Sequence, residues 1–127
     1  AEQRRERARA EKVERIAGVI AREALHIVYQ PIWSVRDDRP IGFESLARFD
    51  DALVQGVDRW FADAAEIGLG TDLELHAIER ALAAVPGLPG DVYVAVNSAP
   101  ATVLDPRLPG LLERWPMERI VLELTEH

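Results

Sequence analysis

The sequence of 127 residues contains no cysteine, and none of its apolar runs approaches the ~20 residues needed to span a bilayer. The lack of cysteine excludes a disulfide framework and leaves no thiolate to favour a soft metal. The sequence also lacks a secretory signal. We therefore expect a cytoplasmic protein with one modest core and no membrane segment in this chain.

Lysine is almost absent, because Lys12 is the only one beside fourteen arginines. The net charge is −7, with +2 over residues 1–15 and −9 over the remainder. An acidic body of this kind is a poor surface for a nucleic-acid backbone, which needs clustered lysine and arginine. We expect neither DNA nor RNA as a partner.

Charged residues interrupt one otherwise apolar strand, which the pattern predicts over residues 42–49. Side chains on a strand alternate between its two faces. One face would carry Phe43, Ser45, Ala47 and Phe49, and the other would carry Glu44, Leu46 and Arg48. The alternative for the two charges is a buried structural ion pair or an edge strand with a wet face.

Two later apolar strands also carry a polar side chain near their carboxyl ends, Asn97 in one and Glu123 in the other. In a parallel sheet these ends meet at one edge, where chemistry is usually found. Glu44, Asn97 and Glu123 thus form a set of hard oxygen ligands suited to Mg²⁺ or Mn²⁺. The alternative for each residue alone is a strand-end capping role.

Strands alternate with helical segments along the chain, which predicts an α/β fold with a largely parallel sheet. The first strand is expected over residues 25–35, and Thr71 to Glu74 read as a capping box that begins a helix. Residues 1–24 predict a charged helix with one apolar stripe that packs either on the domain or on a partner helix. The stripe contains Val13, Ile16 and Ile20.

Five ordered motifs resemble those of the EAL domain, a family of bacterial phosphodiesterases that linearise the second messenger cyclic di-GMP on a TIM-like barrel. The motifs are Tyr29-Gln30-Pro31-Ile32, Gly42-Phe43-Glu44-Ser45-Leu46-Ala47-Arg48, Ala64-Ala65-Glu66-Ile67-Gly68, Val96-Asn97-Ser98-Ala99-Pro100 and Val121-Leu122-Glu123-Leu124-Thr125-Glu126. Two positions depart from the family pattern, since Ser45 replaces the signature alanine and Ala99 replaces the usual serine. Neither position is expected to bind metal.

The resemblance implies a partial TIM-like (β/α) barrel, with about its first four strands in residues 25–127 and a linker or signalling helix in residues 1–24. It implies a two-metal site for Mg²⁺ or Mn²⁺ with Glu44, Asn97 and Glu123 as ligands. Substrate would contact Gln30, Leu46 and Arg48. Glu126 would support the metal ligands from behind or hold a neighbouring loop in place. The family's catalytic lysine and aspartate pair are expected downstream, so no catalytic residue is assigned here.

Three functions remain open at this point. A complete barrel would hydrolyse cyclic di-GMP, whereas residues 1–127 alone are expected to be inactive. The alternatives are a receptor that binds cyclic di-GMP without cleaving it, and an interaction scaffold joined to an upstream sensor domain. Residues 119–125 form a hydrophobic strand edge, which predicts a homodimer or larger assembly.

Overall fold

The protein is a mixed α/β structure, described here from a computed structural model over residues 1–22, 24–50 and 56–125. Within these residues there are five α-helices, four strands and two short 3₁₀ turns, at Val85–Gly87 and Met117–Arg119. The helices and strands are α1 (Glu2–Arg22), β1 (Leu25–Ser34), β2 (Arg39–Phe49), α2 (Val57–Glu66), α3 (Gly70–Leu82), β3 (Tyr93–Ser98), α4 (Pro100–Val103), α5 (Arg107–Leu112) and β4 (Ile120–Leu124). The predicted four-stranded α/β fold behind a charged helix is confirmed.

The four strands form one sheet in chain order, with β1 antiparallel to β2 and the other pairs parallel. The predicted largely parallel sheet is therefore present, and the antiparallel first pair is its one exception among the described strands. Its cause is the short turn between the strands, because a few residues can join only antiparallel neighbours. Asp38 adopts a left-handed φ of 51° in this turn, and the backbone N–H of Asp37 donates to Ser34 Oγ at 3.1 Å.

Close backbone packing joins β2 to β3 at Gly42, which lies opposite Tyr93 in the register. A Cβ atom added to Gly42 would lie 2.5 Å from the Tyr93 ring. Such a distance is well inside van der Waals contact, so a larger residue here must displace the ring. Glycine at this position therefore lets the tyrosine ring lie directly over the neighbouring strand.

Helices α2 and α3 cover one face of the sheet, which we call the helix-covered face, and the opposite face is the open face. Two groups of buried apolar side chains fill the space between the helices and the covered face. One group includes Ile78, Leu82, Val94, Val96, Leu108 and Leu112, and the other includes Ile16, Val19, Leu25, Trp60 and Leu73. On the open face Val28 and Val121 remain partly exposed.

The second half of α1 packs on α2 within this chain, with Ile16 fully buried in the core. Polar contacts reinforce the packing, since Arg15 Nη2 lies 2.7 Å from Asp63 Oδ2 and Lys12 Nζ lies 2.8 Å from Glu66 Oε2. The apolar stripe therefore serves the domain, which was one of its two predicted uses. The functional division at residues 24 and 25 stays a prediction.

The predicted capping box at the start of α3 is wrong. The helix begins at Gly70, and its N-cap residue Leu69 makes no side-chain capping hydrogen bond. Gly68 has a φ of +80°, which lets the chain reverse between α2 and α3, and the N-cap of α3 lies two residues earlier than the motif predicted. The carboxylate of Glu74 instead accepts a hydrogen bond from the backbone N–H of Ala99, which lies 25 residues away.

Candidate metal and ligand site

The two faces of β2 differ as the alternation predicts. Ser45 lies buried on the helix-covered face, where its hydroxyl donates to the carbonyl of Ala95 at 2.8 Å. Phe49 lies on the same face and stacks on Trp60 with ring centroids 4.6 Å apart. Glu44 is partly buried and belongs to the opposite, open face. The departure from the family's alanine at position 45 thus adds a hydrogen bond between β2 and β3.

The register brings four of the predicted site residues to the open face in two adjacent pairs. Gln30 is the partner of Glu44 across β1 and β2, and Asn97 is the partner of Glu123 across β3 and β4. Glu44 itself lies beside Ala95, which precedes Asn97 by two residues on the same face. Asn97 therefore lies about 7 Å farther along the strands than Glu44, at a rise of ~3.3 Å per residue.

The donor set on the open face suits a hard divalent cation. Glu44 and Glu123 offer carboxylate oxygens and Asn97 offers a carboxamide oxygen, the ligand types that Mg²⁺ and Mn²⁺ prefer. Two carboxylates are few for such a site. Over residues 1–22, 24–50 and 56–125, no group of three or more His, Cys, Asp or Glu side chains could hold a metal ion. The assigned ligands thus fit a cation as a partial set, and their role stays a prediction.

A cleft of about 920 Å³ opens beside the carboxyl ends of β2 and β3, between the sheet and helices α2 to α4. The Cα pairing between β2 and β3 ends at Glu44 and Ala95, so the strands beyond this point border the cleft. Its lining includes the predicted site residues Leu46, Arg48 and Asn97. It also includes the polar residues Glu74, Thr102 and Thr125. The structure therefore divides the predicted site residues between the cleft and the open face of the sheet.

Asn97 is the predicted metal ligand that also borders the cleft, together with the predicted substrate contacts Leu46 and Arg48. Gln30, Glu44 and Glu123 do not line it. Arg48 is exposed, and its Nη1 donates to the carbonyl of Ala47 at 2.8 Å. Because Arg48 also lines the cleft, an anionic ligand bound there could reach its guanidinium group.

Two residues that line the cleft, Glu74 and Thr125, are not among the site residues predicted from the sequence. The backbone N–H of Ala99 donates to Glu74 Oε1 at 2.7 Å, and the backbone N–H of Thr125 donates to the carbonyl of Ser98 at 3.0 Å. Glu74 had been assigned to a helix cap, and no local pattern shows a partner 25 residues away. Glu126, predicted to hold a loop in place, lies outside the described residues.

Lys12, the only lysine, lies far from these residues along α1, where it pairs with Glu66. Within the part of the chain that the structure describes, no helix is long and apolar enough to cross a membrane.

Comparison with protein families gives a match between the EAL domain model and residues 13–127. No curated protein matches the chain. Among solved structures, the Xanthomonas citri FimX EAL domain in complex with c-diGMP has a TM-score of 0.77 and 19% identity, over 98% of this chain and 52% of that one. The PaMucR phosphodiesterase in its c-di-GMP complex has a TM-score of 0.74 and 20% identity, over 91% of this chain and 52% of that one.

A third structure is the Bacillus subtilis YkuI protein, with an EAL domain, in complex with substrate c-di-GMP and calcium. It has a TM-score of 0.68 and 23% identity, over 88% of this chain and 31% of that one. The chain spans about half the length of the FimX and MucR chains that it matches. Identities of this size establish the fold that these proteins share with the chain.

Proposed function

Because this chain belongs to the EAL domain family, we propose that it forms the first half of a barrel that binds cyclic di-GMP and, when complete, hydrolyses it to the linear dinucleotide. The observation that carries the proposal is the arrangement of the open face. Register places Gln30 beside Glu44 and Asn97 beside Glu123 on adjacent strands of one sheet. A sheet with a purely structural role does not require four side chains with oxygen donors on one face.

We assign the metal-binding role to Glu44, Asn97 and Glu123, with Mg²⁺ or Mn²⁺ as the cation. When bound, such cations would neutralise the charge of the phosphate and lower the pKa of a bound water molecule. The carboxylates hold the cations, while the neutral carboxamide of Asn97 adds an oxygen without adding charge. Because Asn97 also borders the cleft, it links the metal ligands to the surface where the dinucleotide would lie.

The dinucleotide would be oriented by Gln30, Leu46 and Arg48. Arg48 can donate two parallel hydrogen bonds to a phosphate, which fixes orientation as well as charge. Leu46 borders the same cleft and offers an apolar surface to a base. No lysine of this chain lies at the site, so residues 1–127 are expected to bind the dinucleotide without cleaving it.

We also propose that α1 connects this domain to an upstream sensor. Its residues 1–11 are exposed, whereas Ile16 and Val19 anchor the helix to the core. A helix fixed at one end and free at the other can transmit movement to α2. We propose a cytoplasmic location, because cyclic di-GMP is a second messenger of the cell interior. The β4 edge is the proposed contact for a homodimer.

The test uses a polypeptide that contains the complete barrel. Replacing Glu44 with alanine should lower Mn²⁺-dependent hydrolysis of cyclic di-GMP more than about 100-fold, since a bound cation contributes several kcal/mol to such reactions. Replacing Arg48 with alanine should mainly raise KM. Arg39→Ala is the matched control, because Arg39 lies on the same strand and pairs with Asp91 on the surface. Turnover unaffected by Glu44→Ala would disprove the ligand assignment.

A second candidate function is a receptor that binds cyclic di-GMP without hydrolysis. It is favoured by one observation, namely that the cleft is bordered by Leu46, Arg48 and Asn97 but not by Glu44 or Glu123. A receptor would bind the dinucleotide equally well in the presence of EDTA and would show no turnover in the complete barrel. Metal-dependent turnover in the same preparation would exclude it.

A further inference from the structure

The strand end that carries Asn97 is held in place from two sides. Beyond Asn97 the chain passes through Ser98, whose side chain is fully buried, and reaches Ala99. The carbonyl of Ser98 accepts the backbone N–H of Thr125, and the backbone N–H of Ala99 donates to Glu74 Oε1 at 2.7 Å. One anchor comes from the end of β4, and the other comes from the first turns of α3.

We propose that Glu74 is a positioning residue that fixes the Asn97 carboxamide for ligand binding, an inference that rests on the proposed function of Asn97. The backbone amide that Glu74 accepts belongs to Ala99, two residues beyond Asn97, so this bond fixes the chain directly after the strand end that carries the carboxamide. A hydrogen bond to an ionised carboxylate is shorter and stronger than one between neutral groups. The anchor is therefore well suited to hold the carboxamide in one direction.

The platform that holds the anchor is rigid. Glu74 follows Leu73, which is fully buried, and precedes Ile78, which is buried on the same helix. A functional side chain is held most accurately when its support lies on a packed helix or strand. The segment opposite, Asn97 to Ala99, is the end of β3 and the start of the connection to α4, and its Asn97 and Ser98 pair with Glu123 and Leu124 of β4. Glu74 thus connects the core of the domain to the edge of the cleft.

The carboxylate of Glu74 has two separable properties, its acceptor oxygen and its negative charge. Glu74 lines the cleft together with Asn97, so its charge also adds to the attraction for a cation there. Glu74→Gln keeps an acceptor of nearly the same shape and removes the charge. Glu74→Ala removes both. If positioning is the main role, the glutamine variant should behave nearly as the wild type does.

The experiment uses the 127-residue chain in four forms, which are wild type, Glu74→Gln, Glu74→Ala and Glu79→Ala. The last is a matched control, because Glu79 lies on the same helix and pairs with Arg114 on the surface at 3.0 Å. Two quantities are measured by NMR. The first is the exchange protection of the Ala99 amide relative to the β3 core amides, recorded together with the chemical shifts of the Asn97 side-chain NH₂ signals. The second is the Mn²⁺ concentration that broadens those signals by half.

We expect Glu74→Ala to lower the relative protection of the Ala99 amide at least tenfold and to collapse the two Asn97 side-chain signals toward their solvent-exposed positions. The half-broadening Mn²⁺ concentration should rise threefold or more. Glu74→Gln should stay within twofold of the wild type in both measurements, and Glu79→Ala should match the wild type. Rescue by glutamine separates positioning from simple loss of charge.

Three results would overturn the inference. The first is a Glu74→Ala variant whose Ala99 protection and Asn97 signals match the wild type. The second is an equal loss of protection at every core amide, which would mean a role in global stability alone. The third is a glutamine variant as impaired as the alanine variant. If Mn²⁺ leaves wild-type Asn97 unaffected, the metal assignment in the proposed function fails, and the first measurement still decides whether Glu74 positions Asn97.

Discussion

The ion cluster between α1 and α2 offers a direct test of how the N-terminal helix is held to the domain. The carboxylate of Asp63 forms ion pairs with three basic side chains. Its oxygens lie 2.7 Å from Arg15 Nη2, 3.3 Å from Arg59 Nε and 3.9 Å from Lys12 Nζ. Removing one partner of a fully buried ion pair costs about 3–5 kcal/mol, whereas an exposed pair contributes less than about 1 kcal/mol. The side chain of Asp63 is 5% exposed but that of Arg15 is 25% exposed. Asp63→Ala should therefore lower the free energy of unfolding by about 2–3 kcal/mol.

The assay is urea denaturation of the 127-residue chain, followed by tryptophan fluorescence. With an m value of about 1.5 kcal/mol/M, the midpoint should fall by roughly 1.3–2 M urea. Glu66→Ala is the control, because Glu66 contacts the same lysine but its side chain is 64% exposed, so it should cost about 0.5 kcal/mol or less. A double-mutant cycle with Arg15→Ala should give a coupling energy of about 1–2 kcal/mol. Equal effects of Asp63→Ala and Glu66→Ala would refute the reasoning.

Three further predictions follow from the packing. Burial raises the pKa of Tyr29, whose hydroxyl donates to the carbonyl of Ala81 at 2.7 Å. The unfolded chain then releases this proton first, so stability should fall as the pH rises above about 10, and Tyr29→Phe should remove that dependence in alkaline denaturation curves. Gly42→Ala should lower the unfolding free energy by about 1–3 kcal/mol in urea titrations, because the new methyl group displaces the Tyr93 ring; an unchanged midpoint would contradict the close packing. Residues 1–127 expressed alone should self-associate through β4 in light scattering, and a stable 14.2 kDa monomer would contradict this.

Much of the fold could be predicted because side-chain alternation and motif order are local properties of the sequence. The resemblance to the EAL domain is confirmed by a family match over residues 13–127. The strand that bears Glu44 and Arg48 formed as its alternation indicated, with Ser45 and Phe49 on the helix-covered face. The metal and substrate roles of the site residues stay predictions.

What the sequence could not supply was the identity of distant partners. The capping-box prediction failed because α3 begins at Gly70 and Glu74 accepts the backbone amide of Ala99, which lies 25 residues away. Similarly, the buried position of Asp63 depends on Arg15, which lies 48 residues earlier. The antiparallel pairing of β1 could have been foreseen from the turn after Ser34, which is too short for a parallel crossover.

The short ladder between β2 and β3 has a consequence for how the site comes together as the chain folds. Ten residue pairs join β1 to β2 and five join β3 to β4, but only three join β2 to β3. The hairpin and the β3-to-β4 unit each close over nearby residues, which costs little chain entropy and favours early formation. Gln30 and Glu44 therefore meet in one unit, and Asn97 and Glu123 meet in the other. Opening of the three-pair seam would divide the ligand set while leaving both halves intact, so we expect ligand binding to be lost well before secondary structure on heating.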